Sequence, residues 1–315
     1  MWLLLFVVSI AGFMLARQDH TETLMVLHSP IQEVLPPHTH EEEDSVSDVG
    51  HGILLFSYAT TTVDMWVTGI SAQVQNAPYT KLHHLILSTD AGEDPECPGT
   101  QIKKDFIAIG QDTPSTFTFE KPYAMFVPKG TVLEMSTMIH NPKEENEKGT
   151  TYFDVEASLT LTGTYAPPNS FKNIELMRIA VQDTPYCDKD PRGPGFSVPA
   201  HSQIFEKKPN ITGKDRGRII TPYSGTIVSG YGHLHGWDGG KSVTLYVNKE
   251  KVHTWETAFL SAPGEDGREW HTPWVPMNIR FEKGDELSVA SVYTNPSDHD
   301  EENAMGAARL FFVKD

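Results

Sequence analysis

The run Tyr152-Phe153-Asp154-Val155-Glu156-Ala157-Ser158-Leu159-Thr160-Leu161 alternates apolar and polar side chains. Successive side chains of a strand point to opposite faces, so the run reads as a strand with one buried and one solvated side. The same signal recurs on both sides of it. Residues 63–70, 85–87 and 132–139 precede it as short apolar, β-branched runs between turn signals. Pro167-Pro168-Asn169-Ser170 then breaks the chain. A second series follows from Ile174 through Ile219, then over 225–228, 243–247, 287–289 and 310–313. No long segment carries the apolar period of a helix. The pattern predicts an all-β protein of two tandem antiparallel β-sandwich domains, jelly-roll-like, over residues 51–164 and 165–315.

A chain of 315 residues is ample for two such domains, and a hydrophobic content of 38% excludes a disordered one. Acids outnumber bases 42 to 25, which argues against a nucleic-acid backbone as partner. No run approaches the roughly 20 apolar residues of a membrane-spanning helix. Residues 1–16 (MWLLLFVVSIAGFMLA) read instead as a secretory signal peptide, closed off by Arg17-Gln18-Asp19-His20. A secreted, extracellular protein is expected, with no membrane contact beyond that peptide. An oxidising compartment would pair Cys97 with Cys187, and Asn210-Ile211-Thr212 is a glycosylation sequon. Residues 17–50 carry eight acids and one base and read as an acidic flexible leader, in which His38 and His40 are solvated.

Fourteen histidines make some accidental pairs inevitable, so their surroundings have to decide. His83-His84 opens the apolar run Leu85-Ile86-Leu87, and His140 ends another, after Met138-Ile139. Three imidazoles could close one metal site. Neighbours on a regular strand face opposite ways, however, so His83 and His84 reach one ion only if the strand twists or bulges there. His233-Leu234-His235 meets no such objection, because positions i and i+2 share a face. It follows Ser229-Gly230-Tyr231-Gly232, where backbone comes close. Met305, just before the last strand, could add a third ligand. Imidazole with thioether favours copper, since the soft sulfur stabilises Cu(I).

These contexts resemble the copper type II, ascorbate-dependent monooxygenases, the family of peptidylglycine α-hydroxylating monooxygenase and dopamine β-hydroxylase. They look closer still to the stress up-regulated Nod19 proteins. The resemblance covers most of residues 51–315 and keeps the family's order: the His-His strand, the turn Pro128-Lys129-Gly130 leading to a strand that ends in His140, the His-x-His, and the Met before the closing strand. It implies two copper ions. His83, His84 and His140 would hold an electron-transfer copper. His233, His235 and Met305 would hold the catalytic copper at which dioxygen reacts. The implied reaction hydroxylates a C–H bond of a small-molecule or peptide substrate, with ascorbate or a similar reductant as co-substrate.

In the amidating member of the family, an Arg before the His-x-His and a Tyr after the Met grip the substrate's carboxylate. Here Tyr231 and Arg309 occupy those positions, and the resemblance makes them candidate substrate-binding residues with their chemistries exchanged. Trp237-Asp238-Gly239-Gly240 reads as a turn in which Asp238 could orient a histidine. No P-loop, G-x-S-x-G or H-E-x-x-H motif competes. The alternatives to an oxygenase are a secreted copper-binding or stress-related protein without turnover, and a purely structural β-sandwich protein whose histidines bind nothing.

Overall fold

The structure, a computed structural model, describes residues 21–34, 54–94, 97–110, 113–139, 151–165, 171–181, 196–209, 217–235, 239–259 and 270–315. Residues 1–16, expected to be a signal peptide, and His38, His40, His140, Cys187, Asn210 and Asp238 lie outside the described residues. Every extended element is a strand, and no α-helix occurs among the described residues.

The first half supplies β1 (Glu22–His28), β2 (Gln32–Val34), β3 (Leu54–Thr60), β4 (Met65–Gln75), β5 (Leu82–Asp94), β6 (Cys97–Ile109), β7 (Thr116–Thr118), β8 (Tyr123–Val127), β9 (Val132–Ile139), β10 (Tyr152–Thr164) and β11 (Lys172–Asn173). They form two sheets, ordered β1-β10-β4-β8-β11 and β3-β9-β5-β6, with β2 added to β10 and β7 to β4. The second half supplies β12 (Glu175–Val181), β13 (Phe196–Val198), β14 (Ser202–Lys207), β15 (Arg218–Ile220), β16 (Gly225–His235), β17 (Gly240–Val247) and β18 (Glu250–Glu256). It continues with β19 (Ala258–Phe259), β20 (Trp270–His271), β21 (Val275–Phe281), β22 (Glu286–Asn295) and β23 (Glu301–Lys314). Its sheets run β12-β23-β16-β21 and β14-β22-β17-β18.

The two halves are wired alike. Leaving out the short added strands, each sheet interleaves early and late strands in the order of a jelly roll, which encloses a core between two sheets. β1 corresponds to β12, β4 to β16, β5 to β17, β9 to β22 and β10 to β23. That symmetry corrects the expected leader. Residues 22–28 pair antiparallel with β10 over Glu22↔Gly163 to His28↔Ser158, and Leu27 and Val34 are buried in the core. The acids that suggested a solvated leader cluster in 41–48, whereas 23–27 carries no charge and covers the edge β10 would otherwise expose. The first sandwich therefore runs from 22 to 173, against the expected 51–164.

β10 obeys its alternation where it is central. Val155, Ala157, Leu159 and Leu161 are fully buried. Its first turn of the pattern breaks: Asp154 takes a left-handed φ of 52°, and the ladder steps from Tyr152↔Val34 to Val155↔Gln32. That bulge turns Phe153 outward, where it is 61% exposed.

The halves meet through the β12-β23-β16-β21 sheet of the second and strands β6 and β7, one from each sheet, of the first. Tyr231 and Phe311 from the second join the first core, where Phe117 stacks on Tyr231 with ring centroids 5.5 Å apart and Phe119 lies 5.2 Å from Phe311. Trp274 packs between them, 4.8 Å from both Phe117 and Phe311. Burying a large apolar side chain contributes roughly 1.5–3 kcal/mol, so this aromatic seam is a substantial part of the molecule's cohesion.

Candidate metal centres

At the start of β5 the ladder to β9 runs Leu82↔Ile139 and then His84↔Met138, two residues of β5 against one of β9. His83 is the extra residue of a β-bulge. Leu82, Leu85 and Leu87 are fully buried, so they fix the core side of the strand on either side of the defect. The His83 and His84 rings end up neighbours, centroids 4.9 Å apart and tilted by 47°. The bulge thus removes the objection that adjacent strand residues diverge. His83 is buried and His84 half-buried. β9 ends at Ile139, opposite Leu82, so the chain leaves described structure one residue before His140 and beside this pair.

The face of β5 that turns away from its own core carries His84, Ile86 and Ser88. Asp105 sits directly across from Ser88 and so shares that face. Its Oδ2 accepts a hydrogen bond from Arg309 Nη1 at 3.0 Å. The histidine-bearing face of the first sandwich is therefore the one that meets the second.

In the second sandwich no defect is needed. β16 and β23 are antiparallel neighbours with His233 opposite Ala307 and His235 opposite Met305. Directly opposed residues share a face, and alternation adds position 233 to 235 and positions 307 and 309 to 305. Tyr231 and Arg309 oppose each other further along the same rungs. Both contact the first sandwich, so the face holding His233 and Met305 looks toward it.

Met305 is held at two points. Its carbonyl accepts the Tyr293 hydroxyl at 2.7 Å, and its Sδ receives Arg178 Nη2 at 3.9 Å. Gly306, next to it, has no room for a side chain, because a Cβ there would lie 2.3 Å from Ser291 Cβ. Ala307, opposite His233, is fully buried and small.

The candidate substrate clamp has other occupants. Tyr231 is fully buried and its hydroxyl donates to the Ala108 carbonyl. Arg309 is 5% exposed and paired with Asp105. Both side chains tie the sandwiches together. Cys97 lies in β6, opposite Asp94, while its expected partner Cys187 is outside the described residues. Among the described residues no three or more His, Cys, Asp or Glu side chains gather as a metal cage. A thioether is not in that set of donors, and His140 is not among those residues.

Two residues near these positions escaped the sequence reading. Asp105 could not be linked to Arg309 from so far along the chain. Arg178 did carry a signal, as the one cation inside the apolar strand Glu175–Val181.

No family profile matches the chain, and no curated protein matches it. Among solved structures it is similar to the major capsid protein of bacteriophage PM2, at 8% identity and a TM-score of 0.33, over 92% of this chain and 98% of that one. PNGF-II gives 10% identity and a TM-score of 0.35 over 90% of this chain, which spans 65% of that protein. The ANXUR2 extracellular domain of Arabidopsis thaliana gives 7% and 0.24, over 92% and 89%. Likeness at that level carries no argument about what the chain does.

Proposed function

We propose that the protein is a secreted copper-dependent monooxygenase that hydroxylates a substrate C–H bond, using dioxygen and a one-electron reductant such as ascorbate. One observation carries the reading: Met305 lies directly across the ladder from His235 and two positions from the rung of His233. Two histidine positions and a methionine position on neighbouring rungs offer a soft donor set of the kind that favours Cu(I). The His83–His84 bulge supports a second, all-imidazole set on the opposing face, with His140 as its third donor.

The residues divide the work. His233, His235 and Met305 would hold the catalytic ion, and His83, His84 and His140 the other. Bound copper would supply one-electron redox chemistry and the activation of dioxygen. Leu234 and Gly306, both buried, back the donor strands against the core of the second sandwich. The Phe117, Trp274 and Phe311 cluster packs the seam with apolar surface, which would shelter bound copper from bulk water. Tyr231 and Arg309 hold the two faces in register.

Purified protein is expected to take up about two copper ions per chain, and His235→Ala about one, with ascorbate-dependent oxygen consumption lost. Metal analysis finding no copper in the wild type would end the proposal. The engagement of Tyr231 and Arg309 by the first sandwich favours a second reading, a copper-binding protein without turnover. Full copper loading with no oxygen consumption across peptides and small acids would select it.

A further inference from the structure

The Arg178–Met305 contact has a chemical consequence for the second donor set. Arg178 stands on β12 directly opposite Arg309 on β23, so it lies on the face that holds Met305, and its guanidinium reaches along the sheet to Met305 Sδ at 3.9 Å. Two arginines opposed across a ladder repel; Arg309 turns to Asp105 and Arg178 toward Met305. Met305 is also pinned at its carbonyl by Tyr293. A thioether sulfur has two lone pairs. A donor on one of them leaves the other with a fixed direction.

Resting on the copper reading above, we infer that Arg178 is a positioning residue that orients the Met305 thioether and biases the site toward Cu(I). The bias is electrostatic. A fixed positive charge beside a metal disfavours the doubly charged ion more than the singly charged one, and at a partly buried site that difference is not screened away. The planar guanidinium adds direction, which an ammonium on a flexible stem does not. Arg178 need not touch substrate or metal for either effect.

The test uses the full chain in an H83A/H84A background, so that only the second donor set takes copper, and copper itself is the probe. Cu(I) affinity is measured against a chromophoric chelator and the midpoint potential by redox titration. R178Q keeps a hydrogen-bond donor and removes the charge. It is expected to shift the ratio of Cu(I) to Cu(II) dissociation constants on the order of tenfold toward Cu(II), a fall of about 59 mV for a one-electron couple. R178K keeps the charge and should hold the midpoint near that of the parent. R178M repeats the charge loss without a polar tip and guards against misfolding of R178Q. A parent-like midpoint in R178Q or R178M, with copper still bound, overturns the inference and leaves the copper reading standing. An R178K midpoint that falls as far as that of R178Q also overturns it. Failure of both neutral variants to fold overturns it too, making Arg178 a support of the sandwich. No copper in the parent background, and none in the unsubstituted chain, sinks the copper reading itself.

Discussion

The two sandwiches share one wiring and use it differently. In the first, the candidate donors sit on β5 and just beyond β9; in the second, on β16 and β23, strands whose counterparts in the first are β4 and β10. The candidate donor positions thus fall on opposite layers of equivalent sandwiches. The local devices differ as well. Adjacent histidines need a ladder defect to share a direction, and His83 is that defect. Alternate histidines need only an undisturbed ladder, and β16 pairs with β23 without interruption from Ser229 to His235. One candidate centre depends on an irregularity, the other on its absence.

That contrast can be broken most forcefully at the bulge. His83→Ala and His84→Ala should each remove one of about two copper ions per chain, because the bulge brings the two rings side by side. Metal analysis showing that only one of the two variants loses an ion would mean the rings do not act together. In the second sandwich the regular ladder depends on close approach of its two sheets. Gly306→Val would drive its side chain into Ser291 and should cost about 3 kcal/mol in urea unfolding. Unchanged stability would show that the sheets can part there.

The link between the faces should be weaker than either. Asp105→Ala strands the buried Arg309 guanidinium and is expected to cost about 2 kcal/mol, most of it recovered when Arg309→Met is added. Failure of the double variant to recover would place the cost elsewhere. The smallest effect belongs to His253 on β18, away from both donor sets. Burial against the fully packed Trp255 holds its pKa below the ordinary 6.5. The unfolded chain therefore takes up its proton first, and the stability present above pH 6.5 is lost as pH falls toward the folded value. His253→Gln should flatten that part of a melting-temperature profile. A profile as steep as before would assign the dependence to other groups.

The sheet class was readable because β10, β4 and β9 are patterned strands, each with a burial rhythm set by its own residues. The first strand of the first sandwich was not, because its case rests on a partner: 23–27 becomes a strand by capping β10, and the acids further along the chain masked it. The histidine and methionine positions were readable as residue types in order. Whether they could meet was not. A bulge at His83 has no local signature in a run of otherwise ordinary strand residues, and the His235–Met305 rung joins segments whose register is fixed by everything between them. Tyr231 and Arg309 are candidates for a ligand clamp by type alone, and nothing in the sequence signals the Ala108 and Asp105 that engage them across the seam.

The passage between the halves is a splice with no slack. Lys172 and Asn173 lie parallel to Tyr123 and Ala124, the Asn173 side chain accepts the Phe126 amide at 2.8 Å, Ile174 is 2% exposed, and Glu175 already faces Phe312. A scissor motion would have to unzip one of two ladders or pull Ile174 into water. The spacing of the facing sheets is accordingly a dimension built in during folding, and the two sandwiches are fastened end to end as one piece.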